Sequence, residues 1–211
     1  MTDHTHADLA HKGDPSLDRL LFFSDGVFAI AITLLAIELH VPHGWDGTAA
    51  TLLREGWPML AAFVLSFGVV GIFWNTHRRL FLGMERFTMG VFVLNLAVLA
   101  GIALMPFATV LMYSPPVTPE TFAIYLGLVS AIGLFNGMTY GYAAFVADVV
   151  RPRLHPMRRL SVMLMQTLMP GACCGASLAL FSNTPVWITG GLALIAVGLT
   201  AFIIWTKRRY A

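Results

Sequence analysis

The chain has 211 residues, of which 57% are hydrophobic and only 11% charged. A soluble domain carries about 25% charged residues. There are too few charges here to cover a water-facing surface, so the bilayer is the natural solvent. The net charge of +2 is too small to imply a nucleic-acid partner, and the length suits one membrane bundle without a separate soluble domain.

Residues 1–17 are polar and lack the apolar stretch of a secretory signal. They read as an N-terminal tail, with the first helix doubling as the insertion signal. His4, His6 and His11 in this tail have no fixed geometry and do not suggest a metal site.

Charge-free runs then mark the membrane spans, each of which needs roughly 20 apolar residues. The first span is Leu20–Val41, with Asp25 and Glu38 near its ends. Gly56–His77, Phe87–Pro119 and Thr121–Ala147 follow without a formal charge, and Ser161–Thr206 is long enough for two more. Ser182-Asn183-Thr184-Pro185 marks the turn inside the last run, as Pro115, Pro116 and Pro119 do before the fourth span. The expected helices are 19–41, 57–78, 87–112, 120–148, 160–182 and 185–206.

This predicts an all-α polytopic membrane protein with six transmembrane helices. The tail 1–17 precedes a transmembrane domain, 18–206, and a basic tail, 207–211. The spans lack the alternation of a membrane β-barrel. Of the 13 Lys and Arg residues, all but Arg54 fall on one side of the six-span arrangement. The positive-inside rule makes that side cytoplasmic, with both termini there and the chain multi-pass in the cell membrane.

Cys173 and Cys174 are adjacent in an apolar run. They read as small packed side chains, since neighbours on a helix point apart and no zinc-spaced partners accompany them. Asp148 heads a basic loop and is expected to be solvated. Asn95 and Asn136 can bond between helices. Thr139-Tyr140-Gly141-Tyr142 looks like a carbonyl selectivity filter, but such a filter needs a re-entrant loop, and this tetrapeptide lies in an uninterrupted apolar run.

The first helix concentrates the polar signal. Ser24 and Asp25 open it, and an acid inside a membrane usually pairs or faces protein. At about 100° per residue, Phe23, Ile30, Leu34, Ile37 and Val41 share one face, with Thr33 at its edge. Asp25 lies near the opposite side. The Asp25 side should therefore pack against neighbouring helices, leaving the Ile30 stripe to lipid, a partner subunit or a pore axis. Asn75 and His77, at the end of the second helix, stand at a depth where they could meet Ser24 and Asp25.

Arg19 and the run Phe23-Ser24-Asp25-Gly26-Val27-Phe28-Ala29-Ile30-Ala31-Ile32-Thr33-Leu34-Leu35 resemble the signature of the endolysosomal potassium channel family, transmembrane protein 175. Ser66-Phe67, Trp74 and His77-Arg78-Arg79 are similar to that family's second span, and Asn95-Leu96 and Pro106-Phe107 to its third. The resemblance covers about residues 19–110. It implies a homotetrameric, potassium-permeable cation channel without a carbonyl filter, the first helices surrounding the axis. Ile30 would be the main constriction, Leu34 and Ile37 further rings, and Thr33 the hydroxyl supporting potassium preference. Arg19, Ser24, Asp25 and His77 would form a polar network behind the pore helix. The resemblance implies no cofactor beyond permeant potassium ions, and no partner beyond the bilayer and further copies of the chain.

Two other classes bear weighing. A membrane-embedded enzyme needs an acid/base or metal constellation at membrane depth, and Asp25 with His77 does not make one. The chain therefore reads as no enzyme. A proton-coupled membrane transporter could use Asp25 and His77 as a relay.

Overall fold

The structure is a computed structural model. It describes residues 14–42, 44–151 and 155–166, together with 198, 201, 202, 204–206, 208 and 209. Most of the fifth expected span, much of the sixth, the turn at 182–185, Cys173, Cys174 and the tail histidines lie outside the described residues.

Helix α1, Pro15–Ile37, starts where Asp14 caps it. Asp14 Oδ1 accepts from the Ser16 amide at 2.9 Å, and Pro15 takes a position whose N–H would lack a helical partner. Both features extend the helix before residue 19, where the sequence expectation began it. Helix α2, Ala49–Leu82, also starts early. Thr48 caps it by accepting from Thr51 N at 3.3 Å, while Asp46 binds the Thr48 and Thr51 hydroxyls at 2.8 and 2.9 Å. Residues 49–56 were expected outside the span because Arg54 and Glu55 interrupt the apolar run. Charge bars a segment from the hydrocarbon, not from the helix that extends beyond it.

Helix α3, Met89–Leu111, is capped by Thr88. Helix α4, Pro119–Gly141, opens with Pro119 and runs into a π-helical turn, Tyr142–Val146. Thr139, Tyr140 and Gly141 are therefore helical and buried, and the filter-like tetrapeptide offers no row of free carbonyls. A further helical run occupies 156–166. The described residues hold four helices long and apolar enough to span a membrane and no β-strand, only the isolated bridge of Met84 with Val150.

That bridge belongs to a clasp at the Arg-rich end of the bundle. Glu85 N donates to Val149 O at 2.9 Å, Arg151 N donates to Gly83 O at 2.8 Å, and the Arg151 guanidinium meets Glu85 at 2.6 Å. The turn is made by Asp148, in the left-handed region at φ 47°, where Asp is tolerated. Asp148 is also ion-paired with Arg159 at 2.9 Å, with Arg159 donating to Ala144 O as well. The Asp148 side chain is still 51% exposed, as expected of a solvated acid, with Arg159 as an added partner. Burial leaves the Arg159 side chain 11% exposed, and such a cation needs a counter-charge.

Two apolar clusters form the core. One joins Phe28, Leu35, Val70, Ile102, Met105 and Ile132; the other, nearer the Arg-rich end, joins Leu20, Phe81, Val91, Tyr140 and Val149. Helices α3 and α4 come close at a glycine of α3. A Cβ at Gly101 would stand 2.5 Å from Ile132 Cγ1, in the middle of a buried side chain. Gly101→Ala should therefore lower the thermal stability of the purified protein by about 1–3 kcal/mol. In an Ile132→Ala background that penalty should largely vanish, a non-additivity that a double-mutant cycle measures directly.

Asp14 supplies a second prediction. Besides Ser16, its carboxylate accepts from Phe87 N through Oδ2 at 2.7 Å, tying the start of α1 to the α2–α3 connection. The Phe87 amide, then that of Ser16, holds the carboxyl below the usual aspartate range. A depressed folded-state pKa gives stability that is complete above the unfolded value of about 4. It is lost as pH falls through the lower folded value. The stability difference between wild type and Asp14→Ala should thus be constant near neutrality and shrink below about pH 4, read by thermal unfolding across pH.

Candidate functional site

Helix α1 has two chemically distinct faces. Leu17, Leu20, Ser24, Phe28, Ala31 and Leu35 are buried in steps of three and four. On the other side, Ile30 is 60% exposed, Leu34 40% and Ile37 72%. Val41, expected on this face and in a helix reaching residue 41, lies beyond the helix end at Ile37, whereas Phe23 extends the same apolar surface. Thr33 is exposed beside it, its hydroxyl donating to its own helix at Ile30 O, 2.8 Å away. The surface shared by the stripe residues is thus free of packing within this chain among the described residues.

Behind that surface lies a hydrogen-bonded chain through three helices. His77 Nε2 on α2 is 2.7 Å from Asn95 Oδ1 on α3. The amide oxygen only accepts, so the proton sits on Nε2. Asn95 Nδ2 donates to Ser24 Oγ on α1 at 3.0 Å, and Ser24 donates to Leu20 O at 2.8 Å. Each of the three residues is at most 1% exposed. Phe81 stacks on the imidazole at 4.4 Å and Phe28 packs against it at 5.4 Å. The remaining ring nitrogen, Nδ1, has no hydrogen-bond partner among the described residues. Every donor points one way, toward a backbone carbonyl, which suits bracing.

Asp25 is half-buried and accepts from Trp74 Nε1 at 2.8 Å. Arg78 sits over the Trp74 ring, 5.9 Å from its centre, a cation–π distance. Sequence reasoning placed Ser24, Asp25 and His77 at one depth, and the structure brings them to one level. Ser24 reaches His77 only through Asn95, while Asp25 turns to Trp74. Arg19 and Asn75 are exposed, and among the described residues Arg19 makes no hydrogen bond or ion pair with this group. Asn95 had been marked only as a possible interhelical donor. The residue that joins the network lies on a third helix, whose rotation no single-helix pattern gives.

A second buried polar cluster escaped the sequence reading altogether. Ser66 Oγ donates to Tyr125 OH at 3.1 Å, and Thr109 Oγ1 lies 2.7 Å from Ser66 Oγ. It ties α2, α3 and α4 together further along the bundle. The only signal would have been isolated hydroxyl residues within otherwise apolar spans. Among the described residues no group of three His, Cys, Asp or Glu could hold a metal ion.

Residues 19–106 match the sequence profile of the endosomal/lysosomal potassium channel TMEM175 family. Over this segment the chain carries the sequence pattern of the TMEM175 family. The match contains most of α1, all of α2 and most of α3, and so both the apolar stripe and the His77–Asn95–Ser24 chain. A potassium channel of Streptomyces collinus is 43% identical over 96 residues, 44% of this chain and 46% of that one. A potassium channel of Chamaesiphon minutus is 34% identical over 133 residues, 60% of this chain and 65% of its own length. The endosomal/lysosomal proton channel TMEM175 of Mus musculus is 28% identical over 148 residues, 68% of this chain and 29% of the mouse protein. The matched stretch thus covers about half the length of the first bacterial relatives. The crystal structure of a lysosomal potassium-selective channel TMEM175 homolog from Chamaesiphon minutus superposes with a TM-score of 0.66 at 27% identity, over 88% of this chain and 97% of that one.

The brace generates a prediction. Asn95→Leu removes both hydrogen bonds and leaves Ser24 and His77 facing hydrocarbon. Thermal stability in detergent should fall by about 1–2 kcal/mol. Ser24→Ala should cost less in the Asn95→Leu background than in wild type. Equal costs in both backgrounds would show that the two residues do not act together.

Proposed function

We propose that this protein is a potassium-permeable cation channel whose conduction path runs along the exposed face of α1. The observation that carries the reading is the apolar stripe of Ile30, Leu34 and Ile37. It is unpacked among the described residues and backed by a fully buried polar brace, and it falls in the segment that matches the TMEM175 family. To line a conduction path such a stripe must face an axis shared with other copies, and a homotetramer provides one. In the proposed assembly Ile30 forms the narrowest ring, with Leu34 and Ile37 as further rings, and Thr33 supplies a hydroxyl beside them. Ser24, with Asn95 and His77, holds α1 at the correct rotation. Asp25 does so through Trp74.

The same reading gives six spans, with the Arg-rich end and both termini in the cytoplasm of a cell-membrane protein. It requires no cofactor and no enzymatic chemistry. The relatives named potassium channels support it.

Hydrophobic rings select by dehydration. An ion must shed part of its water to pass them, and potassium holds its water less tightly than sodium. Ile30→Asn should wet the constriction, raising conductance and reducing the preference for potassium. Both are measured with purified protein in a planar bilayer under a potassium/sodium gradient. Wild-type conductance together with wild-type reversal potential in Ile30→Asn would remove Ile30 from the constriction.

A second reading has protons as the transported ion, and the proton-channel name of the vertebrate relatives favours it. A proton-coupled transporter would also move protons. The same bilayer under a pH gradient distinguishes these cases. A reversal potential that follows the proton gradient supports a proton channel. Saturable flux at carrier rates supports a transporter.

A further inference from the structure

A cleft of about 290 Å³ opens at the Arg-rich end of the bundle, between the first turns of α1 and the start of α3. Leu20, Phe23, Phe87 and Phe92 form its apolar walls, and Ser16 and Arg19 complete its lining. Phe87 and Phe92 lie against one another with ring centres 6.1 Å apart. Phe23 also borders the apolar stripe of α1 and the Leu20 carbonyl ends the polar brace, but Ser16, Arg19, Phe87 and Phe92 belong to neither.

The charges around this cleft are unevenly matched. Asp14 stands beside it, but its two oxygens are engaged by the amides of Ser16 and Phe87. Glu85 is held by Arg151. Asp18 is exposed next to Arg19 in sequence, yet among the described residues Arg19 forms no ion pair. Arg86 adds a second cation one residue before Phe87. The result is an apolar slot with an unpaired guanidinium and a hydroxyl at its rim. It lies at the end of the spans, where headgroups meet hydrocarbon. A guanidinium binds phosphate through paired N–H donors, and four apolar side chains suit an acyl chain.

We propose that this cleft binds an anionic phospholipid, with the headgroup phosphate on Arg19 and Ser16 and the upper acyl chain between Phe23, Leu20 and Phe92. Charge complementarity selects the occupant. A zwitterionic lipid offers the same chain but brings a cation of its own to the Arg19 rim. The site does not depend on whether ions pass along α1. It gives Arg19 a role outside the protein's own hydrogen-bond network.

Native mass spectrometry of the full chain in detergent tests the proposal, with phosphatidylglycerol, phosphatidylcholine or free glycerol phosphate added. Wild type should retain phosphatidylglycerol over phosphatidylcholine by about fivefold, the effect of one basic residue near an anionic headgroup. Arg19→Gln should bring the ratio to about one, while Arg19→Lys should keep most of it. Glycerol phosphate at the same concentration should not compete, since it lacks the chain. In wild type, phosphatidylglycerol with a photoreactive acyl chain should label the peptides that contain Phe23 or Phe92. This measurement decides the matter even if Arg19→Gln fails to assemble. Equal retention of the two lipids, a preference that survives Arg19→Gln, competition by glycerol phosphate, or labelling confined to other peptides would each overturn the proposal. Absence of labelling would show that something else, such as a second copy of the chain, fills the cleft.

Discussion

The bundle turns on one carboxamide. Asn95 hydrogen-bonds both Ser24 on α1 and His77 on α2, and its two functional ends do opposite jobs. Its oxygen satisfies a ring N–H and its nitrogen satisfies a hydroxyl. No apolar side chain does either, and a carboxamide does both in one plane without carrying a charge or titrating. In a bilayer there is no water to replace these bonds, so the rotation of α1 about its own axis is set by a polar contact of about 3 Å. Apolar packing alone would set it less sharply, because lipid competes for apolar surface on nearly equal terms.

Once that rotation is fixed, the rest of α1 follows. Leu20, Phe28, Ala31 and Leu35 fall into the core. Ile30, Leu34 and Ile37 are carried to the outside. The Asp25–Trp74 bond makes a second stop near the same level, and the Asp14 cap, tied to Phe87, makes a third at the helix start. A helix held at three points on one side can present an apolar face on the other without needing that face to pack within its own chain.

Much of this was legible in the sequence. The four described spans lie where the charge-free runs put them, because the bilayer penalises charge more strictly than any propensity scale. The two faces of α1 were legible for the same reason. Ser24 and Asp25 had to find protein partners, and helical period then placed Ile30, Leu34 and Ile37 elsewhere. The failures share a cause. The start of α2 was missed because Thr48 and Asp46 act locally, outside the hydropathy signal. The partner of His77 was misplaced because sequence gives depth along a helix but not the azimuth of a third helix, which decides whether Asn95 comes between. Asp148 is solvated as expected, but its pairing with Arg159 was not seen because that residue arrives from a later segment.

The length of α2 sets a geometric condition on its surroundings. Its 34 residues make a rod of about 51 Å at 1.5 Å per residue. Between Glu55 and Arg78 only about 35 Å of that rod is free of formal charge, close to the roughly 30 Å of hydrocarbon in a bilayer. The charged ends therefore act as a ruler. In a thinner membrane the ruler must lean to keep its apolar middle covered. Because His77 near one end is bonded through Asn95 to Ser24, α2 cannot lean as an independent rod. The thickness of the surrounding lipid is thereby converted into a torque on the helix that bears the apolar stripe.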